Sequence, residues 1–459
     1  MAKKENTAGN GAPPGRVRIR SYRHGLGDCH LLRFTKQDGT FCHVLIDCGV
    51  IENAPKRAAI MQKVATDIAA ETGGVLDMLV VTHRHTDHLC GFDDARDVFK
   101  KIAAKELWLS WTEDPANEFA TSIHEKVERR LAAVRAATGK LDPGDKETAA
   151  AVSGCLEFFG GSNGAFPSTA GILAALKNPQ ETQIGYYSPG SWYFLRDVPN
   201  VRVYTLGPRW DPTPLIAYGL NGFVDALHPA GSSNPELSYP FEKWHRREFE
   251  AMKQANFFKE NYFNPDNDWR RIDTEWLACA WNLVTELNDF INNTSLALAF
   301  EFVDTKQVLL FPGDAQAWAW TSWGDLSWNV WDANGQASQV RAADLISRVV
   351  FYKASHHASY QGALTGNWGW ALDNMTDVNL CCVVPVDRAM TKKIGLERAL
   401  PSKLMIESIN QRTRGRTLLT DPDATAPKPE ELKLLSAMEQ QNFASQIKVT
   451  GDYIDYTLW

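Results

Sequence analysis

The chain has 459 residues, 44% of them apolar and 22% charged, with 48 Lys+Arg against 55 Asp+Glu for a formal net charge of −7. That is the composition of an ordinary globular protein; it argues against a disordered chain and against long-range attraction to nucleic acid or anionic lipid. No run approaches the ~18 apolar residues that span a bilayer, and the eight cysteines lack C-x-x-C spacing, so neither a disulfide framework nor a zinc knuckle is expected. A reducing cytoplasm is the expected compartment. Residues 1–15 have no apolar h-region and read as a disordered tail. Arg16, Arg18 and Arg20 alternate with Val17 and Ile19, the period of a half-buried strand. CHLLRFT and FCHVLIDCG are the next two strands, joined by a turn at Gln37-Asp38-Gly39. Ile60, Val64 and Ile68 mark an amphipathic helix closed by Gly73-Gly74, and LDMLVVT is a buried strand. A helix over 94–105 leads to the strand ELWLS, and this alternation predicts a layered α/β core.

The stretch from about 111 to 290 differs. Phe119, Ile123, Val127 and Leu131 recur at turn spacing, aromatics crowd 241–290, and the only clear strand is VRVYTL at 201–206. It reads as a large, mainly helical insertion. Core-like strands then return as SLALAFEFV and QVLLFPGD around Asp304-Thr305-Lys306, followed by VVFYK and VNLCCVVPV. SKLMIESINQ is a helix, and IKVT-GD-YIDYTLW closes the chain as a hairpin.

The sharpest signal is Thr82-His83-Arg84-His85-Thr86-Asp87-His88, directly after a buried strand. Buried histidines need partners, and three of them with a carboxylate make a poor structural element. As metal ligands the spacing makes sense: His83 and His85, two apart, can hold one cation, while Asp87 and His88 reach a second. Gly313-Asp314 ends another apolar strand, and Ser355-His356-His357-Ala358-Ser359 ends a third, so both fit the same site.

His83-x-His85-x-Asp87-His88, with Asp314 and His356-His357 downstream, resembles the metallo-β-lactamase superfamily of di-metal hydrolases. More narrowly it is similar to the branch related to the hydrolase domain of the ComEC competence proteins, through Gly25-Leu26-Gly27-Asp28, Leu45-Ile46-Asp47-Cys48-Gly49, Asn292-Asn293-Thr294-Ser295-Leu296 and His356-His357-Ala358-Ser359, the last with Ala for the usual Gly. The resemblance covers about 17–110, 200–208 and 290–459. It implies a four-layer αββα sandwich over 16–459, interrupted by the insertion at about 111–290. It also implies roles. His83 and His85 would bind metal 1, Asp87 and His88 metal 2, and Asp314 would bridge them. One of His356 and His357 would complete metal 2, with His356 preferred at the strand end. Asp47 would order the ligand loop. Catalysis would depend on Asp87, His88 and Asp314.

Many members of the superfamily place a further histidine where this chain has Asn292-Asn293. Metal 1 then has fewer imidazoles and a harder amide oxygen, which suits manganese as well as zinc. The expected cofactors are two divalent ions, Zn or Mn. The expected function is a phosphodiesterase or nuclease that uses a metal-bridging hydroxide on a phosphodiester or nucleic-acid substrate. Two other readings stay open: a hydrolase-like effector or partner-binding subunit of a multi-protein bacterial defence-type system, with its partner on the 111–290 insertion, and a small-molecule lactam, lactone or phosphoester hydrolase. Asp28, Lys353 and Ser355 are candidate metal 1 or substrate contacts beside Asn292 and Asn293. Two basic runs, Arg412/Arg414/Arg416 and Trp244-His245-Arg246-Arg247 with Trp269-Arg270-Arg271, are candidate polyanion contacts, against the plainer reading of solvated faces.

Overall fold

The computed structural model describes residues 16–138, 152–160, 168–177, 181–210, 249–264, 266–267, 275–331, 336–363 and 371–459. The tail at 1–15 and the basic runs at 244–247 and 269–271 lie outside them. The architecture is mixed α/β, built on two large sheets. The first has eight strands in the spatial order Ile447–Val449, Tyr453–Leu458, Val17–Tyr22, His30–Thr35, Phe41–Ile46, Met78–Val81, Glu106–Ser110 and Gln183–Tyr187. The second has seven: Thr417–Leu419, Cys381–Val384, Val349–Lys353, Val308–Phe311, Leu298–Phe302, Val198–Thr205 and Trp192–Leu195. Each sheet is antiparallel at one end and parallel at the other.

Alternation along the strands decides which face meets which neighbour. Leu32, Val44 and Val80 of the first sheet share one apolar cluster with Phe300, Phe311, Phe351 and Val383 of the second. Their neighbours Leu31, Leu45 and Leu79 point the other way, onto Met61, Val64 and Ile68 of helix Arg57–Thr72 and Leu89 of helix Thr86–Asp94. On the far side of the second sheet, Leu310, Tyr352 and Cys382 pack on Trp320 and Trp323 of helix Ala317–Trp323 and Met405 and Ile409 of helix Lys403–Thr413. A fourth cluster joins Ile123, Val127 and Leu131 of helix Glu118–Thr138 to Leu283, Leu287 and Ile291 of helix Glu275–Asn292.

Two expectations need correction. The helix expected over 94–105 is instead a helix at Thr86–Asp94, a short turn of helix at Arg96–Phe99 and a two-residue strand at Ala103–Ala104. Helix therefore starts inside the histidine motif, where a glycine at 91 would have discouraged it; the backbone of Gly91 packs so closely on Cys48 that a Cβ would lie 2.5 Å from its Sγ. Nor is 201–206 the only strand of the middle region. Gln183–Tyr187 and Trp192–Leu195 each extend one of the main sheets, drawn there by aromatic side chains that suit a pleated surface. Among the described residues no helix is long and apolar enough to cross a membrane. The seven described cysteines are buried and free.

Topology gathers the chemistry. Asp47, the 82–88 motif, Asp314 and Ser355–His357 each follow the carboxyl end of a strand in the parallel part of its sheet, the place where open α/β sheets leave a crevice.

Candidate metal centre

The motif begins where Met78–Val81 runs out. Extended backbone at His85 alternates the side chains, so His83 and His85 turn inward and Arg84 turns out. His83 Nε2 and His85 Nδ1 lie 3.0 Å apart. Arg84 is anchored by Glu113, whose Oε2 accepts from its Nε at 2.6 Å. Burial works against a charged Glu113, but the Arg84 guanidinium and His124 outweigh it and hold the carboxyl down to about 2. A carboxyl with a depressed folded-state pKa contributes stability that is present above its unfolded value near 4.5 and lost as pH falls from there toward 2. Glu113→Gln is therefore expected to lower stability by about 3 kcal/mol at pH 7, because each tenfold change in proton affinity is worth ~1.4 kcal/mol, and by much less at pH 3. Chemical denaturation of both proteins at the two pH values checks this; equal losses at pH 7 and pH 3 would count against the ion pair.

Asp47 is buried between Thr82 and His88. Its Oδ1 accepts from Thr82 N–H at 2.8 Å, and its Oδ2 accepts from Thr82 Oγ1 at 2.7 Å and pairs with His88 Nδ1 at 2.8 Å. The other nitrogen of His88, Nε2, then faces Asp314 Oδ2 at 3.3 Å and Asp87 Oδ2 at 3.7 Å. His357 Nε2 meets the same two carboxylates, at 2.9 Å from Asp87 and 3.3 Å from Asp314, while its Nδ1 lies 2.9 Å from Pro385 O.

The adjacent histidines diverge. His356, His357 and Ala358 have φ of 46°, 53° and 59°, three successive left-handed residues without glycine. Each costs about 1–2 kcal/mol, and such strain persists only where the surroundings enforce it. The tight turn sends His357 to the carboxylates and His356 away, with its Nδ1 2.8 Å from Ser359 Oγ and its Nε2 3.2 Å from Asn292 Nδ2. The preference for His356 is thus not met: His357 is the one that joins Asp28, His88 and Asp314 in a buried group whose ligating atoms lie within 4.8 Å of one another and can hold a metal ion.

The other candidates divide. Asn293 is fully engaged with Gln316, accepting from its N–H at 3.1 Å and donating to its Oε1 at 3.1 Å, whereas Asn292 keeps a buried amide oxygen without a hydrogen-bond partner. Ser355 Oγ donates to Ala315 O and Gly313 O, and Lys353 is enclosed by protein acceptors, so neither offers a free donor to a phosphate. Arg412 pairs with Asp373, Arg414 with Glu439, and Arg416 is buried against Val378 O, so each of the three has a protein partner. Sequence reasoning missed Gln316, Glu113, Phe158 and Phe159, and named Ser295 only within a motif, without a role. Ser295 Oγ accepts from Asp314 N–H at 3.0 Å, and the ring of Phe159 stands edge-on to His85 at 5.1 Å. Asn-Asn-Thr-Ser contained the Ser295 signal; the two phenylalanines carry none, because their contact is made across the fold.

Whether ions fit can be judged from what is left unpaired. Asp28 Oδ1, His85 Nε2, Asp87 Oδ1, His88 Nε2 and Asn292 Oδ1 are buried polar atoms with no hydrogen-bond partner, concentrated in one place. Such atoms are rare in folded proteins and costly. Burial lowers His83 well below the ordinary histidine value and His85 to about 3, leaving neutral imidazoles suited to coordination. His88 and His357 go the other way: burial opposes their charged forms, but Asp314 and Asp87 outweigh it and raise both. The carboxylates thus draw positive charge to the point where those two rings meet. The donor set could hold a metal ion. No protein-family model matches the chain, and no curated protein matches it.

Proposed function

We propose that the chain is a di-metal hydrolase of the metallo-β-lactamase superfamily, similar to the ComEC-type branch, with phosphodiesters and nucleic acid as its favoured substrate class. The observation that carries the reading is the pairing of two adjoining donor sets: His83 Nε2 with His85 Nδ1, and Asp87, His88 and His357 around Asp314 Oδ2. The order helices, sheet, sheet, helices across the three main apolar clusters supports the four-layer sandwich that this reading calls for.

His83 and His85 would hold one ion, Asp87, His88 and His357 the other, with Asp314 between them. Two divalent ions at such a site supply an activated water at neutral pH and neutralise charge on a phosphate. The chain's own residues do the rest. Asp47 fixes the His88 ring through Nδ1, so only Nε2 is presented. Pro385 O does the same for His357. The phenylalanine pair at 158–159 walls His85 from solvent, and His83, His85, Asp87, His88, Asp314 and His357 are each at most 1% exposed. The free amide oxygen of Asn292 is a hard donor, which favours manganese beside zinc. Elemental analysis of the purified chain, with cleavage of bis(p-nitrophenyl) phosphate and of single- and double-stranded DNA under Mn²⁺ and Zn²⁺, tests the reading. Bound ions with ion-dependent cleavage are expected; protein that binds neither ion and cleaves none of these sinks it.

A further inference from the structure

Lys353 ends a strand of the seven-stranded sheet and is 1% exposed, yet it carries an ammonium. Its three N–H donors have three acceptors: Asp28 Oδ2, Asp314 Oδ1 at 2.8 Å and Gly313 O at 2.9 Å. Asp28 arrives from the other sheet, on the loop before His30–Thr35. Two glycines bring it there. A Cβ on Gly27 would lie 2.2 Å from Gly49 O and 2.6 Å from Asp87 O, and one on Gly49 would lie 2.5 Å from His88 N. With backbone seated on backbone, Asp28 N–H donates to Asp87 O at 2.9 Å, and the carboxylate is aimed into the centre.

We propose that Lys353 is a built-in cation of the metal centre, a positioning residue that locks Asp28 of one sheet to Asp314 of the other and decides which oxygen of Asp314 faces the ions. Asp314 Oδ1 is occupied by Lys353 Nζ and by the His356 N–H at 3.2 Å, so Oδ2 is the oxygen left facing His88 and His357. A metal site assembled from strand ends of two sheets has no single element to hold its shape. An internal ammonium between the two carboxylates keeps them from repelling each other before any ion arrives, and offsets part of the negative charge that ions must otherwise balance. It also explains why Lys353 has no donor to spare for substrate.

This inference rests on the metal-centre reading for its second half only, and the experiment separates the two. Wild type, Asp28→Asn, Lys353→Met and the double variant are melted in excess EDTA, and the chelator-stripped proteins are titrated with Mn²⁺ by calorimetry. Lys353→Met strands two buried carboxylates and is expected to melt lowest, with the double variant recovering part of the loss. Affinity for Mn²⁺ is expected to fall about tenfold or more in both Lys353→Met and Asp28→Asn, the usual cost of losing a partner that orients a ligand. If Lys353→Met fails to fold, Asp28→Asn and the double variant carry the test. A double variant no more stable than Lys353→Met overturns the lock. Affinity that is unchanged or tighter in whichever lysine variant folds overturns the positioning role, since loss of the Lys353 positive charge alone would tighten cation binding, whereas Asp28→Asn removes a negative charge and weakens it by charge alone. Wild type that binds no Mn²⁺ but shows the coupling in EDTA keeps the lock and removes the metal reading.

Discussion

Asp314→Asn is expected to retain at most one ion and to lose ion-dependent phosphodiester cleavage by about 10³-fold, a loss of about 4 kcal/mol in transition-state stabilisation. The residue is the hub of the centre: one oxygen is held by Lys353 and the other lies 3.3 Å from both His88 and His357. An amide keeps the shape and one oxygen but removes the charge that, in the proposed centre, would draw two cations together. Elemental analysis and steady-state rates under Mn²⁺ measure both effects. The two neighbouring histidines supply an internal control. His357→Ala should resemble Asp314→Asn, because its Nε2 sits on the carboxylates, whereas His356→Ala should keep more of both ions and activity, because His356 faces Asn292, Gln316 and Ser359. The opposite order would return His356 to the ligand role and reject the divergence of the left-handed turn.

Gly27→Ala is expected to destabilise the folded chain by about 3 kcal/mol or more and to weaken ion binding with it. The position combines φ of +155° with a Cβ site 2.2 Å from Gly49 O, a contact that only backbone movement can relieve. Movement there displaces the Asp28 loop from the 86–88 backbone and so opens the centre from the side of the first sheet. Gly39→Ala separates the two causes. Gly39 also has positive φ, +81°, but nothing within 4 Å of a Cβ, so only the conformational cost of about 1–2 kcal/mol applies. Denaturant titrations of both variants beside wild type give the comparison. Equal losses would mean that the close approach of the two loops contributes nothing.

Much of this was legible from the sequence for simple reasons. Period-2 alternation in RVRIR marks a strand regardless of partners, turn residues bound the apolar runs HLLRF and FCHVLI, and His-x-His-x-Asp-His suggests coordination because it has no good structural use. Asp314 could be placed at a strand end because its apolar run stops there, whereas Asp47 was named only through the family resemblance. What failed was non-local. The strands at 183–187 and 192–195 exist because a sheet edge offers them a partner, and the helix at 86–94 tolerates Gly91 because Cys48 needs the space.

The same division runs through the site. By itself the sequence determined which residue types meet at the strand ends, and hence that a cation site is the economical use of His83, His85, Asp87, His88 and Asp314. Only the tertiary structure decided orientation: that His357 rather than His356 turns to the carboxylates, that Asn293 is consumed by Gln316 while Asn292 keeps a free oxygen, and that Lys353 lies inside the centre. Those choices depend on three left-handed residues in succession and on loops from two sheets packing backbone to backbone. Neither leaves a periodic mark on the chain, because both arise where residues far apart in sequence compete for the same small space.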